Sequence, residues 1–212
     1  MIDTVIFDFD GTIANTNNLI INSFRHIFDD YNKPWDESYI RSTFGEPLRK
    51  VISRDFSAYD VDEVLTKYRG YQVNRFNTEV FLYPTVTQTL ACLYKKRIKM
   101  GIATSRTKDS TLKALDYFNV IHYFESVVAV EDVQNHKPHK EPLLKCIKEL
   151  NSKSYTTLYV GDSKFDLECA KHAGVLPILV GWHSNAQALA AEYDVKYVLN
   201  KMEDLTDLLN IL

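Results

Sequence analysis

The chain has 212 residues, of which 45% are hydrophobic and 25% charged, and its formal net charge at pH 7 is −3. These values are typical of a globular protein with a sizeable core, and they argue against nucleic acid or an anionic membrane as a partner. No apolar run approaches the roughly 18 residues of a membrane-spanning helix, and no signal-like segment precedes the first strand. We therefore expect a cytoplasmic protein.

The cysteines and histidines do not predict a metal or redox site. Cys92, Cys146 and Cys169 are odd in number and widely spaced, so we expect core thiols and no disulfides. His136 and His139 lie three residues apart with no cysteine or third ligand nearby, and surface histidines are the simpler interpretation.

The first element is an apolar strand over residues 4–7, Thr-Val-Ile-Phe, whose lack of polar alternation is typical of a strand buried on both faces. Residues 16–79 then change character. Apolar residues recur there at helical spacing, first over 19–31, and further helices are predicted around 36–44, 47–57 and 60–77. No part of this stretch strongly predicts a strand.

From Pro84 onward, predicted helices and strands alternate. The helices are expected near 84–96, 107–118, 140–150, 164–173 and 203–211, and the strands at 98–105, 126–130, 156–162, 177–181 and 197–199. Such alternation predicts right-handed βαβ units and a parallel sheet to which the first strand also belongs. We expect a core formed by residues 1–14 and 82–212, with residues 15–81 as an all-helical insertion.

Polar residues of particular kinds follow several of these strands, and ligands of open parallel sheets bind at the carboxyl ends of the strands. The stretches are Asp8-Phe9-Asp10-Gly11-Thr12, Thr104-Ser105-Arg106, Lys137 before Pro138, and Gly161-Asp162-Ser163 with Asp166. If the strands are adjacent, several carboxylates, a hydroxyl and an ammonium meet at one place. Such a cluster fits a hard divalent cation together with a phosphate group.

These residue types can carry phosphoryl transfer. One metal-neutralised carboxylate can attack phosphorus and form an aspartyl-phosphate, and a second can protonate the leaving group and later deprotonate water. Lysine and hydroxyl groups can stabilise charge on the transferring oxygens.

The order Asp-x-Asp-Gly-Thr, strand-Thr-Ser, Lys-Pro and Gly-Asp-x-x-x-Asp resembles the haloacid dehalogenase superfamily of phosphohydrolases over essentially the whole chain. "FGEPL", "TSRTKDST" and "VGDSKFDLECAKHAG" are most similar to its phosphoglycolate phosphatase and pyrophosphatase branch. The resemblance implies an α/β fold with a Rossmann-like parallel sheet, helices on both faces and an inserted helical cap of the C1 type. It also implies Mg²⁺ as cofactor and a small phosphorylated molecule as substrate.

The resemblance also implies roles. Asp8 matches the nucleophile and a metal ligand, and Asp10 matches the acid/base whose backbone carbonyl also meets the metal. The remaining matches are Thr104 for phosphate binding, Lys137 for charge balance, Asp162 as metal ligand, and Asp166 as the acid that holds the metal's waters or the lysine. His136 departs from the pattern, since many relatives carry a small residue there.

Simpler interpretations exist for several of these residues. Thr104 and Ser105 can cap the following helix, although we favour phosphate contact for Thr104 and include Ser105 among the substrate-binding candidates. Asp166 can serve as an acidic residue in the first turn of a helix. Gly45-Glu46-Pro47 predicts a turn between helices, and Arg49 beside it can contact a substrate anion.

Our prediction is a magnesium-dependent phosphohydrolase, monomeric or homodimeric, acting on phosphoglycolate or a pyrophosphate-like molecule. One alternative is a phosphosugar mutase of the same superfamily, in which another residue generally stands at the position of Thr12. An alternative from another class is a phospho-accepting receiver module. A receiver would not need Asp10 and would have about half this length.

Overall fold

The computed structural model describes residues 2–212. Within that range the chain forms eight strands. They are β1 (Thr4–Phe7), β2 (Ala14–Asn15), β3 (Phe81–Leu82), β4 (Lys99–Ala103), β5 (Ser126–Val128), β6 (Thr157–Gly161), β7 (Leu176–Val180) and β8 (Val198–Leu199).

Eleven α-helices connect and flank these strands over the same residues. They are α1 (Asn17–Asp30), α2 (Glu37–Ser42), α3 (Leu48–Asp55), α4 (Val61–Val73), α5 (Phe76–Glu79), α6 (Val86–Lys95), α7 (Lys108–Tyr117), α8 (Glu141–Glu149), α9 (Lys164–Ala173), α10 (Ala186–Glu192) and α11 (Asp204–Ile211).

Six strands form one parallel sheet in the order β5-β4-β1-β6-β7-β8. The chain builds outward from β1 through β4 and β5 on one side, and through β6, β7 and β8 on the other. Phe7, the last residue of β1, lies opposite Ile102 on β4 and Val160 on β6. The carboxyl ends of these three strands are therefore level, at the point where the strand order reverses, which is where such sheets bind ligands.

Helices cover both faces of the sheet, as predicted. Val5 and Phe7 pack with residues of α6, α7 and α11, whereas Ile6 packs in a separate cluster with residues of α8 and α9. The side chains of β1 thus alternate between two buried layers. This explains why the strand is apolar at every position from Val5 to Phe7.

Helices α1 to α5 lie between β2 and β3, and α1 to α4 share their own apolar cluster, which includes Phe24, Ile52, Phe56 and Leu65. We call these five helices the cap. At its base β2 and β3 pair antiparallel, with Ala14 opposite Leu82. The predicted fold class, a Rossmann-like α/β core with a helical cap, is confirmed. The boundaries of the cap stay a prediction.

One helix prediction was wrong in detail, and one helix was missed. The single helix expected over 60–77 is two, because α4 ends at Val73 and α5 begins at Phe76. The Asn74 side chain donates a hydrogen bond to the carbonyl of Gly70, and such side-chain bonds compete with helix continuation. Helix α10 was not predicted, because it is short and offers little apolar periodicity.

The cysteines are free thiols, with Cys146 and Cys169 buried and Cys92 half-buried, as expected of core residues. Among residues 2–212, no helix combines the length and the apolar character that crossing a membrane requires.

Candidate active site

Asp8 and Asp10 follow β1 directly and occupy different environments. The side chain of Asp8 is 6% exposed, whereas that of Asp10 is 26% exposed. Gly11 turns the chain away with a φ of +76°, and a Cβ at this position would overlap the carboxylate of Asp162. Glycine is therefore needed here both for the backbone conformation and for the close approach of the two strand ends.

A buried lysine joins two of the predicted carboxylates. Lys137 Nζ lies 2.8 Å from Asp8 Oδ1 and 2.7 Å from Asp166 Oδ1. It also donates to the hydroxyl of Tyr159 at 3.1 Å, and that hydroxyl lies 2.8 Å from Asp166 Oδ1. The second oxygen of Asp166 accepts from the backbone N–H and hydroxyl of Ser163. Both oxygens of Asp166 thus hold protein groups, which favours the lysine-holding role over direct metal ligation.

Burial and mutual repulsion shift the pKa values of this cluster. Burial raises the pKa of Asp8 to about 7 against the opposing charge of Lys137. Burial also raises the pKa of Asp162 well above its ordinary value, and the charges of Asp166 and Asp8 add to the shift. Burial opposes ionisation of Asp166 too, but Lys137 holds its pKa below the ordinary value. One ammonium therefore does not balance three carboxylates, and a further cation would favour their ionised forms.

The donors at this place fit a hard divalent cation. Asp8, Asp162 and Asp166 each place one oxygen so that the three lie within 4.8 Å of one another. Asp162 accepts a long hydrogen bond, 3.4 Å, from the hydroxyl of Thr12, and His183 Nε2 lies 3.6 Å from its other oxygen. Since Asp166 is engaged elsewhere, Asp8 and Asp162 are the carboxylates that remain available to a metal. Oxygen-only ligands of this kind suit a hard cation.

The segment after β4 forms a hydrogen-bonded contact between the core and the cap. Thr104 is buried, and its hydroxyl accepts a hydrogen bond from the N–H of Arg106 at 3.3 Å. Ser105 does not cap α7, as one interpretation held; its hydroxyl donates to the carbonyl of Gly45 in the cap at 2.7 Å. The guanidinium of Arg106 donates to Asp10 Oδ1 at 2.8 Å.

A cavity of about 1130 Å³ lies between the strand ends and the cap. Core residues that line it include Asp8, Asp10, Thr104, Lys137 and Asp162, and cap residues that line it include Glu46, Arg49, Tyr68 and Gln72. Its walls thus bring the predicted catalytic groups and the cap around one partly open space.

The two candidate residues of the cap, Arg49 and Glu46, each form an ion pair within the cap. Arg49 lines the cavity but forms an ion pair with Asp62 at an exposed position. Glu46 is largely buried and pairs with Arg54 at 3.3 Å. His136 is half-buried and lines the same cavity, so the expectation of a surface histidine was wrong for this residue.

Sequence reasoning missed several residues of the site. Tyr159 was counted only as part of a buried strand, although its hydroxyl reaches Lys137. The contact of Arg106 with Asp10 was not predicted, because 96 residues separate them. Trp182 and His183 both reach the carbonyl of Gly11, at 2.9 and 2.7 Å. For Trp182 and His183, the available signal was their position after β7, at the same edge of the sheet as the residues that follow β1.

Comparisons with known proteins agree with this geometry. A family model described as haloacid dehalogenase-like hydrolase matches residues 5–180. The pyrophosphatase PpaX of Halalkalibacterium halodurans is 34% identical to this chain over 213 aligned positions, which cover 99% of this chain and 98% of that protein.

Solved structures share the fold over the same length. A crystal structure described as a haloacid dehalogenase-like hydrolase from Bacteroides fragilis is 27% identical, with a TM-score of 0.86 over 97% of this chain and 100% of that one. Another, described as a phosphoglycolate phosphatase from Lactobacillus plantarum, is 22% identical, with a TM-score of 0.84 over 98% and 99% of the two chains. The predicted resemblance is confirmed: this chain belongs to the haloacid dehalogenase-like hydrolase family and is a phosphatase.

Proposed function

We propose that the protein is a magnesium-dependent phosphohydrolase that works through an aspartyl-phosphate at Asp8. Its substrate is a small phosphorylated molecule, with phosphoglycolate or pyrophosphate as our choice. The observation that carries the proposal is the buried Asp8 carboxylate, which Lys137 contacts on one oxygen and which lines the cavity close to Asp162. The names of the relatives described above support the choice of substrate.

Asp8 is the group that attacks. Its Oδ1 is held by Lys137, so the other oxygen is the one that forms the new bond to phosphorus as the bond to the leaving oxygen breaks. A Mg²⁺ ion held by Asp8 and Asp162, with the backbone carbonyl of Asp10, would neutralise charge between carboxylate and phosphate. Lys137 and the hydroxyl of Thr104 stabilise charge on the phosphoryl oxygens.

Asp10 handles protons in both half-reactions. Its carboxyl is partly exposed and lines the cavity two residues beyond Asp8, which supports a role at the leaving group. In the first half it gives a proton to the leaving oxygen. In the second it takes a proton from the water that attacks the aspartyl-phosphate, and inorganic phosphate and free Asp8 result.

The remaining properties are also proposals. Residues 15–81 form a cap that closes over the site, with Ser105 and Arg49 contacting substrate and Asp166 serving the metal site through Lys137. The protein works in the cytoplasm as a monomer or homodimer, with no nucleic-acid or membrane partner. The cavity between core and cap, which suits a small molecule, and the net charge of −3 support this view.

A panel of phosphate esters, pyrophosphate and acetyl phosphate, assayed for phosphate release with and without Mg²⁺, tests the function. We expect turnover of phosphoglycolate or pyrophosphate with Mg²⁺, and loss of turnover when EDTA is added. Full activity in magnesium-free buffer with EDTA would contradict the metal assignment. No phosphate release from any compound would contradict the function.

A further inference from the structure

Arg106 is an arginine in the site to which the proposed reaction assigns no role. It follows Thr104 and Ser105 after β4, and its Nη1 donates to Asp10 Oδ1 at 2.8 Å. Its guanidinium also lies over the ring of Phe9, 5.1 Å from the ring centre. The side chain is only 11% exposed, and it lines the large cavity.

Most of the hydrogen-bonding capacity of this guanidinium is unused. A guanidinium has five N–H donors in a planar fork, and among residues 2–212 the only partner of the Arg106 side chain is Asp10. Its Nε is buried without any hydrogen-bond partner in that range. A guanidinium this deeply buried with one hydrogen-bonding partner is costly, so an acceptor that enters the cavity and meets its accessible N–H groups would stabilise this arrangement.

The position of Arg106 relative to Asp10 identifies which part of a substrate it can meet. The proposed acid/base must reach the leaving oxygen, and the guanidinium is one hydrogen bond away from that acid/base. A charged group attached to the leaving oxygen therefore comes within reach of Arg106. In pyrophosphate this group is the second phosphorus with its oxygens, and in phosphoglycolate it is a carboxylate one carbon further on.

We infer that Arg106 is a specificity-determining residue that binds an anionic group on the leaving side of the substrate. The inference rests on the proposed function and deepens it: the substrate class is a phosphate ester or anhydride whose leaving group carries its own carboxylate or phosphate. The planar fork suits both anions, since each can accept two parallel hydrogen bonds from it.

The other basic side chains that line the cavity are less suited to this role. Arg49, Lys50 and Lys113 are 60%, 68% and 75% exposed and pair with acidic residues of their own surface, and Arg69 is also exposed. Lys137 is buried and already held by Asp8 and Asp166. Exposed and paired cations attract anions weakly and without fixed geometry. On the cap side, Tyr68 and Gln72 face the same space and are hydrogen-bonded to each other at 3.2 Å. They offer neutral groups that can complete the binding of an anion.

The test compares substrates that differ in one feature. Phosphoglycolate and pyrophosphate have an anionic leaving group; ethyl phosphate replaces the carboxylate of phosphoglycolate by a methyl group and still needs a general acid. Acetyl phosphate lacks such an anionic group, and its leaving group is good enough to need no general acid. The kcat and KM values of the wild-type protein, Arg106→Met, Arg106→Lys and Lys113→Met are measured on all four with Mg²⁺.

We expect Arg106→Met to lower kcat/KM about 100-fold on the anionic substrate that the wild-type protein prefers, as for the loss of charged hydrogen bonds, chiefly through KM. The loss on ethyl phosphate and acetyl phosphate should be at least tenfold smaller. Arg106→Lys should recover part of the activity, because it restores the charge but not the fork. Lys113→Met also removes one positive charge from the cavity wall, and it should leave kcat/KM for all four substrates within about twofold of the wild-type values.

Three outcomes overturn the inference. In the first, Arg106→Met lowers kcat/KM for all four substrates by a common factor, which would make Arg106 a structural support. In the second, the variant lowers kcat/KM for ethyl phosphate as much as for phosphoglycolate but leaves the value for acetyl phosphate unchanged, which would mean that Arg106 acts only through Asp10. In the third, no substrate changes. If the wild-type protein hydrolysed none of the four, the proposed function would fail and the inference with it.

Discussion

Asp8 and Asp10 illustrate how two like residues, two positions apart, come to differ in chemistry. Asp8 ends in a buried cluster where Lys137 holds one oxygen, and burial raises its pKa to about 7. Asp10 is more exposed and faces the cavity, where Arg106 contacts it. One carboxylate is thus held for attack at phosphorus, and the other can exchange protons with substrate and water.

This difference predicts separate effects of two amide substitutions. Asp8→Asn should lower kcat about 10⁴-fold or more, because an amide does not form the acyl-phosphate. Asp10→Asn should lower kcat on phosphoglycolate about 10²- to 10⁴-fold and allow a phosphoenzyme to accumulate with acetyl phosphate, because the base for hydrolysis is missing. Mass spectrometry of acid-quenched protein locates the phosphoryl group.

Asp116→Asn, which removes an exposed carboxylate on α7, is the control and should change neither quantity. A phosphoryl group found on Asp10 or on a serine would show that the roles are assigned wrongly.

At the scale of elements, the turn before α3 is where the cap meets the core. The carbonyl of Gly45 accepts a hydrogen bond from Ser105, and the φ of Gly45 is +92°. A Cβ on this residue would come within 2.7 Å of Ser163 Oγ and 2.9 Å of a ring carbon of Phe165. The close contact of cap and core at this place therefore depends on the absence of a side chain.

We predict that Gly45→Ala weakens closure of the cap. The kcat/KM for phosphoglycolate or pyrophosphate should fall at least about tenfold, because the cap no longer excludes water from the site. The strained φ should cost about 1 to 2 kcal/mol of unfolding free energy, measured by urea titration.

The matched control is Gly70→Ala, in the interior of α4 where a Cβ meets no atom within 4 Å. It should stabilise the protein by about 0.5 to 1 kcal/mol, because alanine favours the helix, and leave kcat/KM unchanged. Equal kcat/KM for Gly45→Ala and the wild type would rule out this contact as a condition of catalysis.

At the scale of the whole molecule, the charge at the site is linked to global stability. Three carboxylates and one ammonium come together at the carboxyl edge of the sheet, at Asp8, Asp162, Asp166 and Lys137. Their repulsion destabilises the folded state, whereas the same charges lie far apart in the unfolded chain. A cation that binds only the folded state should therefore stabilise the entire protein.

We predict that Mg²⁺ at about 100 times its Kd raises the unfolding free energy by about 2.7 kcal/mol, equivalent to about 5 to 10 °C in Tm. Asp162→Asn should raise the Tm measured in EDTA, because one of the crowded charges is gone, and should abolish most of the Mg²⁺-dependent rise. Asp116→Asn should behave like the wild type in differential scanning calorimetry with and without Mg²⁺. The cluster would not be the metal site if Asp162→Asn kept the full Mg²⁺-dependent shift.

The sequence by itself determined the class of the fold and the set of candidate residues. Alternating strand and helix patterns predict a parallel sheet, and parallel strands present their carboxyl ends at one edge. Residues that follow β1, β4 and β6, such as Asp8, Thr104 and Asp162, were therefore expected to meet, and the structure places them around one cavity. Short-range patterns suffice for this, because each motif is tied to the strand before it.

Only the tertiary structure decided how those residues are partnered. Ser105 meets Gly45 across 60 residues of sequence, and Arg106 meets Asp10 across 96. The contact of Asp166 with Lys137, which is 29 residues away in the sequence, depends in the same way on how the segments pack. Which donor reaches which acceptor is set by rigid-body placement of helices and by burial, and neither leaves a periodic pattern in the local sequence.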